Sequence, residues 1–242
     1  MPDVRLVTCA VLPAPDRDTH RLADALQRAG VTVEIADWRD TTVDWATARV
    51  TMLRSPWDYV QHLADFLGWT DHVATVSALW NPAGLVRWNT HKAYLLELGA
   101  LGAPVVPMVM LTQGGAAAVD GIADAQGWNA FVVKPAVGVG AIGAGRFDVG
   151  DPAAQIHLDA LLAGGDVIVS QYAEAIETDG EISIMLFDGD PTHAVRKRPA
   201  AGDYRIHERY GGDLEATPVS PSLVELAQRV WGGLPEPALY AR

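Results

Sequence analysis

The 242 residues are 49% hydrophobic and 20% charged, which is typical of a globular chain and excludes a disordered one. The net charge of −12 argues against nucleic acid as a partner, so any anionic ligand must be met by local positive groups. Cys9 is the only cysteine, which excludes a disulfide or a thiolate zinc site within the chain.

The first part of the chain alternates strand and helix patterns. We predict strands at 4–12, 31–37 and 49–54, and a helix at 18–29. This order is typical of a parallel sheet in an α/β lobe. The chain opens with a strand pattern rather than a signal peptide, and no segment is apolar for long enough to cross a membrane. We therefore expect a cytoplasmic protein without a membrane partner.

A polar and aromatic group follows the strand at 49–54. Its members are Arg54, Ser55, Trp57, Asp58 and Tyr59. Open α/β sheets bind ligands beyond the carboxyl ends of their strands, so these residues are candidates for binding a substrate. The alternative is an ordinary helix start, with Ser55 as the N-cap.

The next segment opens with an Asn-Pro turn at 81–82 and continues into a predicted helix capped by Asn89 or Thr90. The following strands are predicted at 105–111, 130–134, 145–149, 166–172, 181–187 and 192–197, and helices at 115–125, 152–163 and 221–231.

Residues 131 to 147, "FVVKPAVGVGAIGAGRF", contain a literal G-x-G-x-x-G match at Gly138, Gly140 and Gly143. A dinucleotide fold needs a helix after the glycines, whereas "GAGRFDV" has the pattern of a returning strand. Walker and protein-kinase patterns also fail here. We predict a hairpin in which Lys134 precedes a loop able to place backbone N–H groups on phosphate oxygens. The alternative is a flexible exposed hairpin.

The order of these signals resembles the ATP-grasp superfamily. Lys92, Lys134 with its glycine loop, "DVIVSQYAEAI" and "TDGEISIML" follow one another as in that superfamily, and "HAVRKRPAAGDYRIHERYGG" resembles a segment of its glutamate-adding ligases. "RSPWDY", "RWNTHK" and "HAVRKRP" resemble a bacterial subgroup that includes a cyclo-ligase. The implied fold is α/β with α+β lobes. The implied domains are a Rossmann-like pre-ATP-grasp substrate domain at 1–105, a small subdomain with the glycine-rich lid at 106–170, and a C-terminal lobe at 171–242.

The resemblance also implies roles for individual residues. Lys92 and Lys134 would contact the α- and β-phosphates of ATP, and Gly138, Gly140 and Gly143 would form the phosphate lid. Gln171, Tyr172 and Ala173 would form the hinge that contacts adenine, and Glu181 would hold the ribose hydroxyls.

The implied catalytic residues are basic. Arg196, Lys197 and Arg198 would place positive charge near the γ-phosphate and the substrate, although a solvated basic run is the usual alternative. Arg205 would clamp the transferring phosphoryl group. Gly211 and Gly212 would let the backbone approach an acyl-phosphate.

Mg²⁺ is expected to bind with ATP, but the late part of the sequence has no evident carboxylate pair to hold it. No histidine spacing suggests a metal site either. We therefore expect the metal ligands beyond Arg242, in a longer protein, which would leave the C-terminal lobe incomplete here. The alternative is a degenerate module without catalysis, and an intact mass of native material would separate the two.

The implied function is that of an ATP-dependent ligase that forms a C–N bond on a small amino-acid-like substrate through an acyl-phosphate-type intermediate. The most specific expectation is ring closure of O-ureido-D-serine to D-cycloserine. The alternatives are a non-catalytic ATP-binding module and, from the literal glycine match, an NAD-dependent oxidoreductase. The sequence leaves the oligomeric state open.

Overall fold

The computed structural model describes residues 1–12 and 16–241, which divide into two compact units. The first unit contains residues 1–89, 187–189 and 234–241, and the second contains residues 90–186 and 190–233. The chain thus enters the second unit at Thr90 and returns to the first twice. The three domain ranges expected from the sequence divide the chain differently and stay a prediction.

The first unit contains a four-stranded parallel sheet in the order β2-β1-β3-β4. Its elements are β1 (Val4–Thr8), α1 (Arg17–Arg28), β2 (Val33–Asp37), β3 (Val50–Ser55), α2 (Leu63–Val76), β4 (Ala78–Trp80), α3 (Ala83–Thr90) and β12 (Tyr240–Ala241). The alternation of strands and helices confirms the predicted α/β lobe. In β1 Leu6 and Val7 are both fully buried, as expected for a central parallel strand covered on both faces.

Aromatic side chains form much of the core of this unit. Phe66 packs against Trp38 and Trp69 with ring centroids 5.2 and 5.7 Å apart, and Trp45 lies 5.0 Å from Trp69. Each such ring buries a large apolar area. This packing fixes α2 against the sheet and so places the carboxyl end of β3.

The second unit contains two antiparallel sheets. The first has the order β5-β8-β6-β7, and in the second β10 lies between β11 and β9. The elements are α4 (Tyr94–Ala100), β5 (Met108–Leu111), α5 (Val119–Gln126), β6 (Ala130–Pro135), β7 (Gly145–Asp148), α6 (Pro152–Gly164), β8 (Val167–Gln171), α7 (Ala175–Thr178), β9 (Glu181–Phe187), β10 (Asp190–Arg198), β11 (Asp213–Ala216) and α8 (Pro221–Gly232).

Helices α5 and α6 cover one face of the first of these sheets. The shared core includes Phe131 and Val133 from β6, Leu158 from α6 and Val169 from β8, all fully buried. Asp151 caps α6 by accepting a hydrogen bond from the Ala153 amide at 2.9 Å. A rigid sheet therefore carries the lysine and glycine segment.

Two local predictions are wrong. Asn89 and Thr90 are not caps but the last residues of α3, whose Leu85 and Val86 are buried; packing of these residues outweighs the weak helix propensity of Asn and Thr. Ser55 is not an N-cap either, because it ends β3 and α2 begins only at Leu63. Lys92 consequently lies in the short connection between α3 and α4.

Within the described ranges, no helix combines the length and apolarity needed to cross a bilayer.

Two residues of α6 test the importance of this core for stability. We expect Leu158→Ala to lower the free energy of unfolding by about 2–5 kcal/mol, because the side chain is fully buried and its removal leaves a cavity. The matched control is Ile156→Ala on the same helix, which is 72% exposed and should change stability by less than about 0.5 kcal/mol. Urea unfolding measures both variants, and equal losses would contradict the predicted packing.

Candidate functional site

The glycine segment folds back as a hairpin. Strands β6 and β7 pair antiparallel, with Val133 opposite Gly145 and Ala130 opposite Asp148. The predicted hairpin is confirmed, and the dinucleotide interpretation is wrong because no helix follows the glycines. Gly140 and Gly143 have φ of +60° and +74°, a region that favours glycine. Residues 136–144 are called the lid below.

Side chains from outside the lid hold its carbonyl oxygens. Lys92 Nζ donates to Gly138 O at 2.7 Å, and the Tyr204 hydroxyl donates to Ala144 O at 3.0 Å. Further contacts join Lys92 Nζ to Ala136 O at 3.4 Å, His157 Nε2 to Gly143 O at 3.0 Å, and Arg209 to Gly140 O.

The lid amides have a different environment from its carbonyls. Within the part of the chain that the structure describes, the amides of residues 137–141 donate no backbone hydrogen bond. Successive free N–H groups in a turn are suited to binding an anion. In the lid, the carbonyl oxygens of Gly138, Gly140, Gly143 and Ala144 are thus engaged, and the amides of residues 137–141 are available.

Two lysines lie beside the lid. The amide of Lys92 donates to Ala136 O at 3.0 Å, and Lys134 is on β6, just before the lid. Burial, with a smaller contribution from the charge of Lys134, lowers the pKa of Lys92 to about 8, and burial also lowers the pKa of Lys134. Neither forms an ion pair within residues 1–12 and 16–241. Two desolvated cations without a counter-ion fit a polyanionic ligand such as a triphosphate.

The basic run on β10 divides between the two faces of the strand. Lys197 is only 9% exposed, and its ammonium lies 2.8 Å from Glu181 Oε1. Arg196 and Arg198 point to the other face, where both approach Glu215 on the neighbouring strand β11. The two-residue alternation of a strand explains this division. The three residues therefore do not form one basic cluster.

Glu181 begins β9 and already has polar partners. Its Oε1 accepts hydrogen bonds from Lys197 Nζ at 2.8 Å and from Ser183 Oγ at 3.1 Å. Gly180 precedes it with φ of +74°, and a Cβ there would lie 2.4 Å from Lys197 O. Close packing of the Gly180 backbone on β10 thus fixes the carboxylate next to Lys197. Binding of ribose by Glu181 stays a prediction.

Arg205 forms a bidentate ion pair with a nearby carboxylate. Its Nε and Nη2 donate to the two carboxylate oxygens of Asp203 at 3.0 and 2.7 Å, and its guanidinium carbon lies 3.7 Å from the centroid of the Tyr210 ring. Hydrogen bonds from Arg205 lower the pKa of Asp203 to about 2. Any phosphoryl group that Arg205 clamps would share the guanidinium with Asp203.

The predicted glycine pair closes the loop that carries Arg205. Gly211 has φ of +81° and ends a short 3-10 helix at Glu208–Tyr210. A Cβ on Gly212 would lie 2.4 Å from Ile206 O, so only glycine fits this turn. Loop closure alone therefore accounts for both glycines, and their approach to an acyl-phosphate stays a prediction.

The predicted hinge follows β8. The Gln171 amide donates to Pro107 O at 2.9 Å and the Tyr172 amide to Ala130 O at 3.0 Å, so both belong to the sheet. The buried Tyr172 hydroxyl donates to Glu177; burial and this hydrogen bond raise its pKa. An open cavity of about 380 Å³ is lined by Gly127, Asn129, Ala130, Gln171, Tyr172, Ala173, Glu174 and Ala175. Its lining contains the three hinge residues and neither Lys92 nor Lys134.

The predicted substrate residues of the first unit have different environments. Ser55 is buried and donates to Asp16; burial alone would raise the pKa of Asp16, but hydrogen bonds from Ser55 and Thr19 lower it. Asp58 accepts a hydrogen bond from Trp38 Nε1 at 2.7 Å. Arg54 Nε is buried and has no hydrogen-bond partner in the described residues.

The two aromatic members of that group contribute to packing. Trp57 and Tyr59 both pack against the core of the first unit, and the Tyr59 ring lies 5.4 Å from Phe66. Asp58, Trp57 and Tyr59 thus have contacts within the first unit, and substrate binding by this group, including Arg54, stays a prediction.

The sequence did not reveal the residues that hold the lid from outside. His157, Tyr204 and Arg209 all contact lid carbonyls, and His91 contacts Asp166 next to the lid. The one feature of the sequence that could have pointed to any of these residues is that His91 directly precedes Lys92.

Magnesium would need hard oxygen ligands. Across residues 1–12 and 16–241, no group of three or more His, Cys, Asp or Glu side chains is placed to hold a metal ion. The expectation that ligands lie beyond Arg242 stays a prediction.

Two family models match the chain. The prokaryotic glutathione synthetase ATP-grasp domain matches residues 105–240, and the N-terminal domain of the D-cycloserine synthetase DcsG matches residues 4–81.

Curated relatives agree with these matches. The chain is 37% identical over 198 residues to the cycloserine biosynthesis protein DcsG of Streptomyces lavendulae, which covers 79% of this chain and 66% of that protein. It is 30% identical over 148 residues to the glutathione synthetase of Parasynechococcus marenigrum (strain WH8102), which covers 61% of this chain and 46% of that protein. The chain thus spans 66% or less of the length of these two relatives.

Two solved structures show a similar fold. The crystal structure of D-cycloserine synthetase DcsG has a TM-score of 0.88 at 31% identity, covering 98% of this chain and 84% of that chain. The D-alanine–D-alanine ligase of Bacillus anthracis has a TM-score of 0.68 at 15% identity, covering 99% and 80%, which is a likeness of fold alone.

The lowered pKa of Lys92 gives stability a specific pH dependence. Its pKa is about 8 in the folded protein, against about 10.5 when unfolded, so the penalty for burying the charge is present below pH 8 and disappears as pH rises. Relative to a Lys92→Met variant, we expect the wild-type free energy of unfolding to rise by roughly 1–2 kcal/mol between pH 7 and 9.5. Urea unfolding at both pH values measures this difference, and parallel pH curves would contradict it.

Proposed function

We propose that this chain, which belongs to the ATP-grasp family represented by the prokaryotic glutathione synthetases, is an ATP-dependent ligase that forms a C–N bond. The family matches and relatives confirm the predicted ATP-grasp resemblance and α/β fold class. The observation that carries the proposal is a pair of partly buried lysines, Lys92 and Lys134, which form no ion pair within the described residues and lie beside the free amides of residues 137–141.

ATP, when bound, would transfer its γ-phosphoryl group to a carboxylate or ureido carbonyl oxygen with release of ADP, and an amine or N–O nitrogen would then displace phosphate to form the C–N bond. In the proposal, Lys92 and Lys134 bind the phosphates, and charge-assisted bonds of this kind contribute about 1.5–3 kcal/mol each. The free lid amides add hydrogen bonds, and the apolar lid side chains exclude water from the reacting groups. Positioning and charge stabilisation thus come from these residues.

The second sheet of the same unit and the loop between β10 and β11 supply the other proposed contacts. Arg205, which lies in this loop and is paired with Asp203, would share its guanidinium with the transferring phosphoryl group. Lys197 is close to Glu181, so a ribose hydroxyl bound by Glu181 would also lie near a positive charge. Arg196 is assigned a minor role, because its side chain is directed to Glu215 on the other face.

Magnesium is proposed to bind together with the nucleotide, as is general in ATP-grasp ligases. No step is assigned to it, because the described residues contain no ligand group for it.

For the substrate we propose a small amino-acid-like molecule, with ring closure of O-ureido-D-serine to D-cycloserine as the specific reaction. The relation to the cycloserine biosynthesis protein of Streptomyces lavendulae supports this choice. Arg54, with its unpartnered buried Nε, is the strongest candidate of the first unit for a substrate carboxylate. The predicted cytoplasmic location is part of the same proposal.

A non-catalytic ATP-binding module is the second candidate. The lack of a metal-ligand group in the described residues favours it. Under this alternative the chain binds ATP and never releases ADP.

ADP release in a coupled spectrophotometric assay tests the function. With Mg-ATP and the full-length chain, we expect ADP formation with O-ureido-D-serine and none without a substrate. Binding of Mg-ATP without ADP release from any substrate would support the non-catalytic module. ADP release with γ-glutamylcysteine and glycine, and not with O-ureido-D-serine, would show that the chain acts on the substrates of the glutathione synthetases instead.

Lys134→Met tests the role of the lysine directly. The variant keeps the apolar stem and removes the charge, so we expect about a 10- to 100-fold loss in kcat/KM for ATP. The control is Arg229→Ala, which removes one exposed positive charge from α8 of the same unit. Unchanged turnover in Lys134→Met would contradict the assigned role.

A further inference from the structure

Asp166 joins three segments beside the lid. It lies directly before β8, and its backbone carbonyl accepts a hydrogen bond from the Ala136 amide at 2.8 Å. Its carboxylate Oδ1 accepts from the Gln113 amide at 2.8 Å, and its Oδ2 lies 3.3 Å from His91 Nε2. One residue therefore connects the start of the lid, the turn after β5 and the connection between α3 and α4.

The protonation pattern of the His91 ring follows from its neighbours. The Ala93 amide donates to His91 Nδ1 at 3.2 Å, so Nδ1 is an acceptor. The ring proton of the neutral form is then on Nε2, the nitrogen that faces Asp166. The imidazole thus links the backbone at Ala93 to the carboxylate of Asp166.

The backbone of Lys92 is hydrogen-bonded to the same group of residues. Its amide donates to Ala136 O, while the Ala136 amide donates to Asp166 O. Ala136 is fully buried, whereas the side chains of His91 and Asp166 are each 33% exposed. A lysine side chain has four rotatable carbon–carbon bonds, and the reach of its ammonium depends on a fixed backbone.

We propose that His91 and Asp166 are positioning residues that hold Lys92 where its ammonium can bind the nucleotide phosphates. This inference rests on the proposed function, and neither side chain contacts the nucleotide. The contacts hold residues 91–93 from two directions, through the ring of His91 and through the Lys92 amide. Such support matters because the ammonium of Lys92 lies near a second buried cation, Lys134, and would otherwise move away from it.

Asp166→Asn alters the contact between residue 166 and His91 and leaves the other hydrogen bonds of residue 166 in place. The new side chain keeps Oδ1 as acceptor for the Gln113 amide and leaves the backbone bond to Ala136 in place. Its Nδ2 would face the Nε2–H of His91, which places two donors opposite each other. His91→Ala removes the pair from the other side. Asp124→Asn is the control, since it removes the same charge from an exposed position on α5.

The experiment measures Mg-ATP binding by titration calorimetry in the wild type and in a Lys92→Met background. Asp166→Asn and His91→Ala should each weaken binding about fivefold in the wild type, and Asp124→Asn should have no effect. In the Lys92→Met background, Asp166→Asn and His91→Ala should not weaken Mg-ATP binding further, because both act through that lysine. An effect that persists unchanged in this background would show a role in folding alone and overturn the inference.

The remaining outcomes separate the inference from the proposed function. If the wild type does not bind Mg-ATP, or Lys92→Met binds it as tightly, the proposed function fails and the inference fails with it. If Lys92→Met weakens binding while Asp166→Asn and His91→Ala do not, the inference alone fails. Thermal unfolding verifies that each variant is folded, and Asp166→Asn, which is isosteric, decides the test if His91→Ala does not fold.

Discussion

The site depends on the repulsion and desolvation of two partly buried ammonium groups. Lys92 and Lys134 lie near one another, and no carboxylate of the described residues pairs with either. Burying unpaired charge costs folding free energy, and the protein retains it at this position. The cost is offset elsewhere by ordinary packing, such as that of Phe131 and Leu158 beneath the same sheet. A bound polyanion would convert this unfavourable feature into binding energy.

The distribution of lysine supports this view of the site. The sequence has only three lysines against fifteen arginines, and the lysines are Lys92, Lys134 and Lys197. All three are partly or fully buried in the second unit. The other fifteen of these basic side chains are arginines, one of which, Arg205, forms the bidentate pair with Asp203. Two of these three compact ammonium groups, Lys92 and Lys134, are the proposed phosphate ligands, and the third, Lys197, is paired with Glu181.

Features that depend on residues close together in the sequence could be predicted better than features that depend on residues far apart in the sequence. The β6–β7 hairpin could be predicted because small residues and a returning strand follow Lys134 directly. The basic residues 196–198 point to alternating faces of β10 because side chains alternate along a strand. Glu215, which pairs with two of them, belongs to another strand and could not be predicted. Likewise, Ser55 looked like a helix cap, whereas Asp16, far away in sequence, is its partner. The His91–Asp166 contact also joins residues far apart in sequence.

The way in which the lid is held has a consequence for its natural variation. Side chains of Lys92, His157, Tyr204 and Arg209 bind main-chain oxygens of the lid, and every residue has such an oxygen. Most lid positions are therefore free to exchange one small residue for another during evolution without loosening these attachments. Three lid positions, Gly140, Ala141 and Gly143, have a left-handed backbone and resist such drift. Homologous enzymes can consequently retune the inner surface of this loop while its anchorage stays the same.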